Sequence, residues 1–205
     1  METLSEAPIG YAVATATLPG QTETGDEHLV RRVSYGVLVG VVDGLGHGAE
    51  AAAAARVAIA TLVRHVEEPL VALVRRCHDS LVGTRGVVLS LASFRTADRM
   101  MTWIGVGNVE GLLVRADPRA EATDGSLLLR GGVVGVRVPD LHASVLRVER
   151  GDTLIFATDG IRGDFARTIR RSEPPGRLAE EILARHRKDT DDALVLVARF
   201  EGGEP

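Results

Sequence analysis

The chain has 205 residues, 45% of them hydrophobic and 25% charged, with a formal net charge of −4. Those figures describe an ordinary globular protein, and a length of 205 suits one well-buried domain better than two, so a single domain over residues 1–205 with its core at about 10–200 is expected. No apolar run approaches the ~20 residues that span a bilayer, and a negative chain with four Phe, two Tyr and one Trp has little for phosphate tracking or base stacking, which argues against membrane and nucleic acid as partners.

Residues 9–17 alternate and are rich in Ala, Val and Thr, an opening strand that ends at Pro19-Gly20. The start METLSEAPIG carries acids and lacks the basic-then-apolar pattern of a secretory signal, so a cytoplasmic location is expected. A polar loop at 21–27 leads to a second strand at 28–33, and Ser34-Tyr35-Gly36 turns the chain. Residues 37–42 are apolar almost without a break, the mark of a strand buried on both faces. After Asp43 comes a glycine-rich turn, then strong helix formers at 49–65 whose small side chains allow close packing on a sheet. Pro69 opens another helix with an apolar stripe at Leu70, Leu73, Val74, Cys77 and Leu81. Cys77, the one cysteine, rules out an intrachain disulfide and any cysteine-cluster metal site, and its place in the stripe points to packing.

From Gly86 the period changes. Segments 87–94, 100–106 and 109–115 are separated by short turns and read as an antiparallel meander. Three glycines in residues 131–135 suggest a mobile loop. Segments 143–148 and 153–158 flank the turn 149–152 and read as a further hairpin. Pro174-Pro175 precedes a helix at about 177–187, a last strand covers 193–200, and 201–205 reads as a frayed tail. Runs of short strands with segregated helices give an α+β layered sandwich rather than a βαβ wheel.

Four acidic positions share one context, the end of a strand: Asp26 after Gly25, Asp43 before Gly44, Asp159 before Gly160, and Asp191-Asp192 before the last strand. Gathered at one rim without cations, these carboxylates would repel; Mg²⁺ or Mn²⁺ would turn them into hard oxygen ligands. A lone Asp-Gly is ordinarily a turn, as Asp124-Gly125 reads here, so spacing alone leaves turn and metal site both open.

The stretches VVDGLGHG, VGNVEG, ATDGI and TDDALVLV, in that order with GDEHLV upstream, resemble the metal-dependent protein phosphatases of the PPM (PP2C) class in its bacterial SpoIIE-like branch. The likeness continues through CHDSLVGTRGVVLSL and GGVVGV, and the short form resembles the RsbX-type stressosome phosphatases. It implies a PP2C-like sandwich of two antiparallel β-sheets flanked by α-helices, with two Mn²⁺ or Mg²⁺ ions at one edge. Asp43 would bridge both ions, the Gly44 carbonyl would bind one, and Asp159 and Asp191 would bind the other. Asp26 would hold water from outside the ligand set, Asp192 would orient its loop, and side chains at Gly44 or Gly46 would crowd carbonyl and phosphate. The implied activity is hydrolysis of phosphoserine or phosphothreonine, with phosphorylated STAS-domain scaffold proteins as partners and an anti-anti-sigma factor as the alternative.

Two departures stand out. Asn108 occupies a position where many members carry an aspartate for a third metal, and no arginine precedes Arg31 to hold phosphate as eukaryotic relatives do. Arg85 before Gly86 reads as a solvated turn, and His47 as a loop histidine able to donate to a phosphate. Two rivals remain in view. A phosphatase fold that only docks is opposed by the full aspartate set. Gly44-x-Gly46-x-x-Ala49 also fits a dinucleotide fingerprint, but no second strand ending in an acid follows, and Asp43 would repel pyrophosphate.

Overall fold

In a computed structural model, which describes residues 8–119 and 124–202, ten strands form two five-stranded sheets and three α-helices cover them. In chain order the elements are β1 (Ile9–Ala16), β2 (Asp26–Val33), β3 (Gly36–Gly44), α1 (Ala49–Arg64), α2 (Leu70–Ser80), β4 (Val87–Arg95), β5 (Met100–Val106), β6 (Glu110–Val114), β7 (Gly125–Ser126), β8 (Ser144–Arg147), β9 (Thr153–Ala157), α3 (Pro175–His186) and β10 (Ala193–Phe200). A 3₁₀ turn, Gly163–Thr168, precedes α3. One sheet has the order β1-β10-β9-β6-β7 and the other β2-β3-β4-β5-β8, with every strand pair antiparallel.

Strand periodicity explains the layers. In β3, Val37, Val39 and Val41 face the other sheet while Leu38 and Val42 face the helices. In β10, Leu194, Leu196 and Ala198 point between the sheets, and Val195 and Val197 point to α3. Both strands are therefore apolar on both faces. Phe94 and Phe200 stack across the sheets with ring centroids 6.0 Å apart. The alanines of α1 (Ala51, Ala54, Ala55 and Ala58) are buried against the β2–β3 hairpin, and α2 adds Leu73, Val74 and Cys77 to the same core. Burial pushes the Cys77 thiol up to about 12, which suits packing and not reactivity.

Three expectations need correction. Segments 100–106 and 109–115 do not continue a meander: β5 pairs with β4 in one sheet, whereas β6 pairs with β9 in the other. The chain crosses between sheets at Gly107, whose φ of +98° turns it sharply. Likewise 143–148 and 153–158 are no hairpin, because β8 joins β5 and β9 joins β6 and β10. Residues 131–135 are anchored rather than loose: Val134 is fully buried and exchanges both backbone hydrogen bonds with Val87, at 2.9 and 2.8 Å. Smaller shifts put Asp26 inside β2 and make Pro69 the cap, not the first turn, of α2. Of the frayed tail, Glu201 donates its N–H to the Pro8 carbonyl, and 203–205 lie outside the described residues. No described helix is long and apolar enough to cross a membrane.

Candidate metal centre

The β2–β3 hairpin sets the first pair of carboxylates. Its turn is only Ser34-Tyr35, so Val33 faces Gly36 and the register runs out to Asp26 directly opposite Asp43. The second pair comes from the other sheet, where β9 and β10 are neighbours: Asp159 follows the end of β9 and Asp191 precedes β10. Thr158 joins the two sheets. Its hydroxyl donates to Asp26 Oδ2 at 2.7 Å and accepts the Leu194 N–H at 2.9 Å.

The glycines let these turns close on one another. A Cβ on Gly160 would stand 1.8 Å from the Asp192 carbonyl oxygen, and one on Gly44 would stand 2.2 Å from the Ala51 carbonyl oxygen. Packing of α1 against the turn is thus reason enough for glycine at 44, beyond any crowding of a ligand. Gly46 has φ +87°, and a Cβ there would sit 2.7 Å from Arg85 Nη1. Arg85 therefore lies across the glycine turn, half-exposed and paired with Glu50, instead of standing free in solvent.

Asp43, Asp159 and Asp191 line one open cavity of about 370 Å³ together with Leu45, Gly46, Val88, Gly107, Asn108, Gly131 and Gly132. Asp26 lies beneath, 4% exposed. Burial raises the Asp43 carboxyl to about 9, with Asp26, Asp159, Asp191 and Asp192 adding repulsion in that order. Asp26 is raised to about 7, first by burial and then by the neighbouring aspartates, while the Thr158 hydrogen bond pulls the other way. Asp191 is also raised by burial, with Asp159 and Asp192 adding to it; His47 is near enough for its charge to oppose this.

The remaining groups hold the cluster in place. Asn108 Nδ2 donates to Asp159 Oδ2 at 2.7 Å. Asp192 is buried and takes the Leu18 and Gly25 N–H groups, each at 2.7 Å, one on each carboxylate oxygen. Lys188, the only lysine in the chain, donates Nζ to the Asp159 carbonyl at 2.6 Å. Thr158 and Lys188 escaped the sequence reading. Thr158 could have been found inside ATDGI, as the residue before the aspartate; Lys188 had no motif to mark it, only its rarity.

Among the described residues, no Lys or Arg makes an ion pair with the side chain of Asp26, Asp43, Asp159, Asp191 or Asp192. Nor do three described His, Cys, Asp or Glu side chains already form a metal-holding group. Three carboxyl groups facing one cavity with no Lys or Arg partner are the donor set that hard divalent cations take, so the residues present fit such ions.

Against known proteins, residues 34–201 match the family model described as "Stage II sporulation protein E (SpoIIE)". The phosphoserine phosphatase RsbX of Bacillus subtilis (strain 168) is 24% identical over 163 residues, covering 80% of this chain and 78% of RsbX. A structure solved in work on the bacterial stressosome, as a modular system adapted to control secondary messenger signalling, is 28% identical with a TM-score of 0.85, covering 93% of this chain and 99% of that one. RsbX in complex with magnesium gives a TM-score of 0.83 at 19% identity, with 97% of each chain covered. The catalytic domain of the serine/threonine phosphatase PstP, in complex with two manganese ions, gives 0.71 at 17% identity, covering 93% of this chain and 97% of that one. The PP2C phosphatase domain of SpoIIE from Bacillus subtilis, solved with a fragment of its regulatory domain, gives 0.76 at 20% identity, covering 96% of this chain and 64% of that one, so the sandwich is the PP2C fold; with a family match that spans three of the four aspartate turns, this chain belongs to the SpoIIE family.

Proposed function

We propose that this protein is a metal-dependent serine/threonine protein phosphatase. One observation carries the reading: Asp43, Asp159 and Asp191, from turns far apart in sequence, share one cavity in a chain of the SpoIIE family. Asp43 would hold both of two Mn²⁺ or Mg²⁺ ions with the Gly44 carbonyl as a further ligand, and Asp159 and Asp191 would complete the set. When bound, the ions supply an acidic water and positive charge for the phosphoryl oxygens. Asp26 keeps Oδ2 on the Thr158 hydroxyl, which leaves Oδ1 to accept a hydrogen bond from the attacking water and to take its proton. Asn108 fixes the Asp159 carboxylate, Asp192 ties the strand-end loops, and His47 in the glycine turn would donate to a phosphate.

Phosphorylated STAS-domain scaffold proteins of a stressosome, met in the cytoplasm, are the substrates that the likeness to RsbX and to the stressosome protein supports. Purified protein should release p-nitrophenol from p-nitrophenyl phosphate with Mn²⁺ and stop on chelation. Incubation with phosphorylated scaffold and phosphorylated anti-anti-sigma factor side by side then ranks the substrates. Faster release from the anti-anti-sigma factor would overturn the substrate assignment; no release from any ester would overturn the activity.

A further inference from the structure

Gly131 and Gly132 line two cavities at once. One is the carboxylate pocket, and the other is a groove of about 640 Å³ that continues past Arg137, Val138, Pro139 and Asp140. The two glycines are there for different reasons. At Gly132 a Cβ would stand 2.8 Å from Pro139 Cδ and 3.0 Å from the Arg137 carbonyl oxygen, so packing accounts for it. At Gly131 a Cβ meets nothing within 4 Å, and φ lies outside the left-handed region. Neither sterics nor backbone conformation requires glycine there.

The floor of this passage is fixed. Gly107 donates its N–H to the Arg130 carbonyl at 2.9 Å, Val134 is locked to Val87, and Val133 and Arg137 exchange backbone hydrogen bonds at 2.8 Å. An exposed glycine on a rigid floor between two cavities keeps the way between them open. The groove is also charged. Among the described residues, Arg137 and Asp140 make no side-chain ion pair, so one offers donors to a carboxylate and the other accepts from an amide or a cation. That surface suits an extended polar peptide.

We propose that this groove receives the polypeptide flanking the phosphorylated residue, which leaves the carboxylate pocket across Gly131 and places an acidic side chain on Arg137. The proposal rests on the phosphatase reading above. Its test is the ratio of kcat/KM for a phosphoserine peptide of casein to kcat/KM for p-nitrophenyl phosphate, which fills the pocket alone. Gly131→Leu should lower that ratio about tenfold and Arg137→Ala about threefold, both through KM, with melting temperatures at the wild-type value. A ratio within about twofold of wild type in both variants would overturn the groove, as would a loss carried by kcat alone. If wild type cleaves neither ester, the phosphatase reading itself has failed; if it cleaves both and the ratio does not move, only the groove has.

Discussion

Strand β9 carries an aspartate just beyond each end, and the two live in opposite electrostatic worlds. Asp152 is buried and saturated: Arg115 Nη1 donates to it at 2.8 Å, and the Ala116 and Glu149 N–H groups donate at 2.8 and 3.0 Å. Asp159, seven residues on, takes one amide hydrogen bond from Asn108 and faces a cavity shared with Asp43 and Asp191. Arg115 also donates to the Arg147 carbonyl, and Arg171 ties the Arg115 carbonyl to Asp124, so that end is a closed structural latch. Charge that is matched internally holds a fold together. Carboxyl groups left without a partner in a cavity are donors that a cation would take.

The sharpest way to break this comparison is to remove one carboxylate from each end. Asp43→Asn should lower kcat on the order of 1,000-fold while the protein stays folded. Asp152→Ala should do the reverse, costing about 3–5 kcal/mol of stability through the unpaired Arg115, with the surviving folded protein still active. Denaturant titration alongside p-nitrophenyl phosphate kinetics separates the two.

Thr158→Val touches the seam between the sheets. It removes the donor to Asp26 and the acceptor of the Leu194 N–H, for a cost of about 1–3 kcal/mol. Since the Thr158 hydrogen bond lowers the Asp26 pKa, its loss raises that pKa further, and the acid limb of the pH–rate profile should move to higher pH.

Metal-free protein should also report the unmatched charge. Folding raises the Asp43 carboxyl from 3.8 to about 9, so the folded state holds a proton that the unfolded chain releases between those values. Stability therefore falls as pH rises through that window, and Asp26, raised to about 7, adds to the fall. Mn²⁺ held by Asp43 would compete with that proton and should flatten the dependence of melting temperature on pH. A metal-free protein whose melting temperature rises over the same range would contradict the account. The mildest change is Asn108→Asp, which sets a carboxylate against Asp159. It should cost about 1 kcal/mol in chelator, and the loss should vanish with Mn²⁺.

Much of the open end was legible in the sequence because each carboxylate sits at a strand end and beside a turn, both local features. The doubly apolar β3 follows from its unbroken valines, but the register that sets Asp26 opposite Asp43 does not: Ser34-Tyr35-Gly36 reads as a three-residue turn and Asp26 as loop, whereas the turn is Ser34-Tyr35 alone and β2 begins at Asp26. What the sequence hid is choice of partner. Segments 100–106 and 109–115 look like neighbours in a meander, yet one φ-positive glycine, Gly107, sends them to different sheets. Three glycines in 131–135 suggested mobility, but a single buried valine, Val134, pins the segment to β4. In sequence the latch at Asp152 is an ordinary turn, because its partner, Arg115, lies 37 residues away.

The central claim, that the unmatched end of the sandwich is a site for two divalent cations, is tested most directly by calorimetric titration of metal-free protein with Mn²⁺ at neutral pH in buffers of different ionisation enthalpy. The expected result is saturable binding of about two ions with proton release, because the Asp43 carboxyl is protonated before the metal enters, and loss of that proton release in Asp43→Asn. Absence of saturable binding, or an unchanged titration in Asp43→Asn, would contradict it.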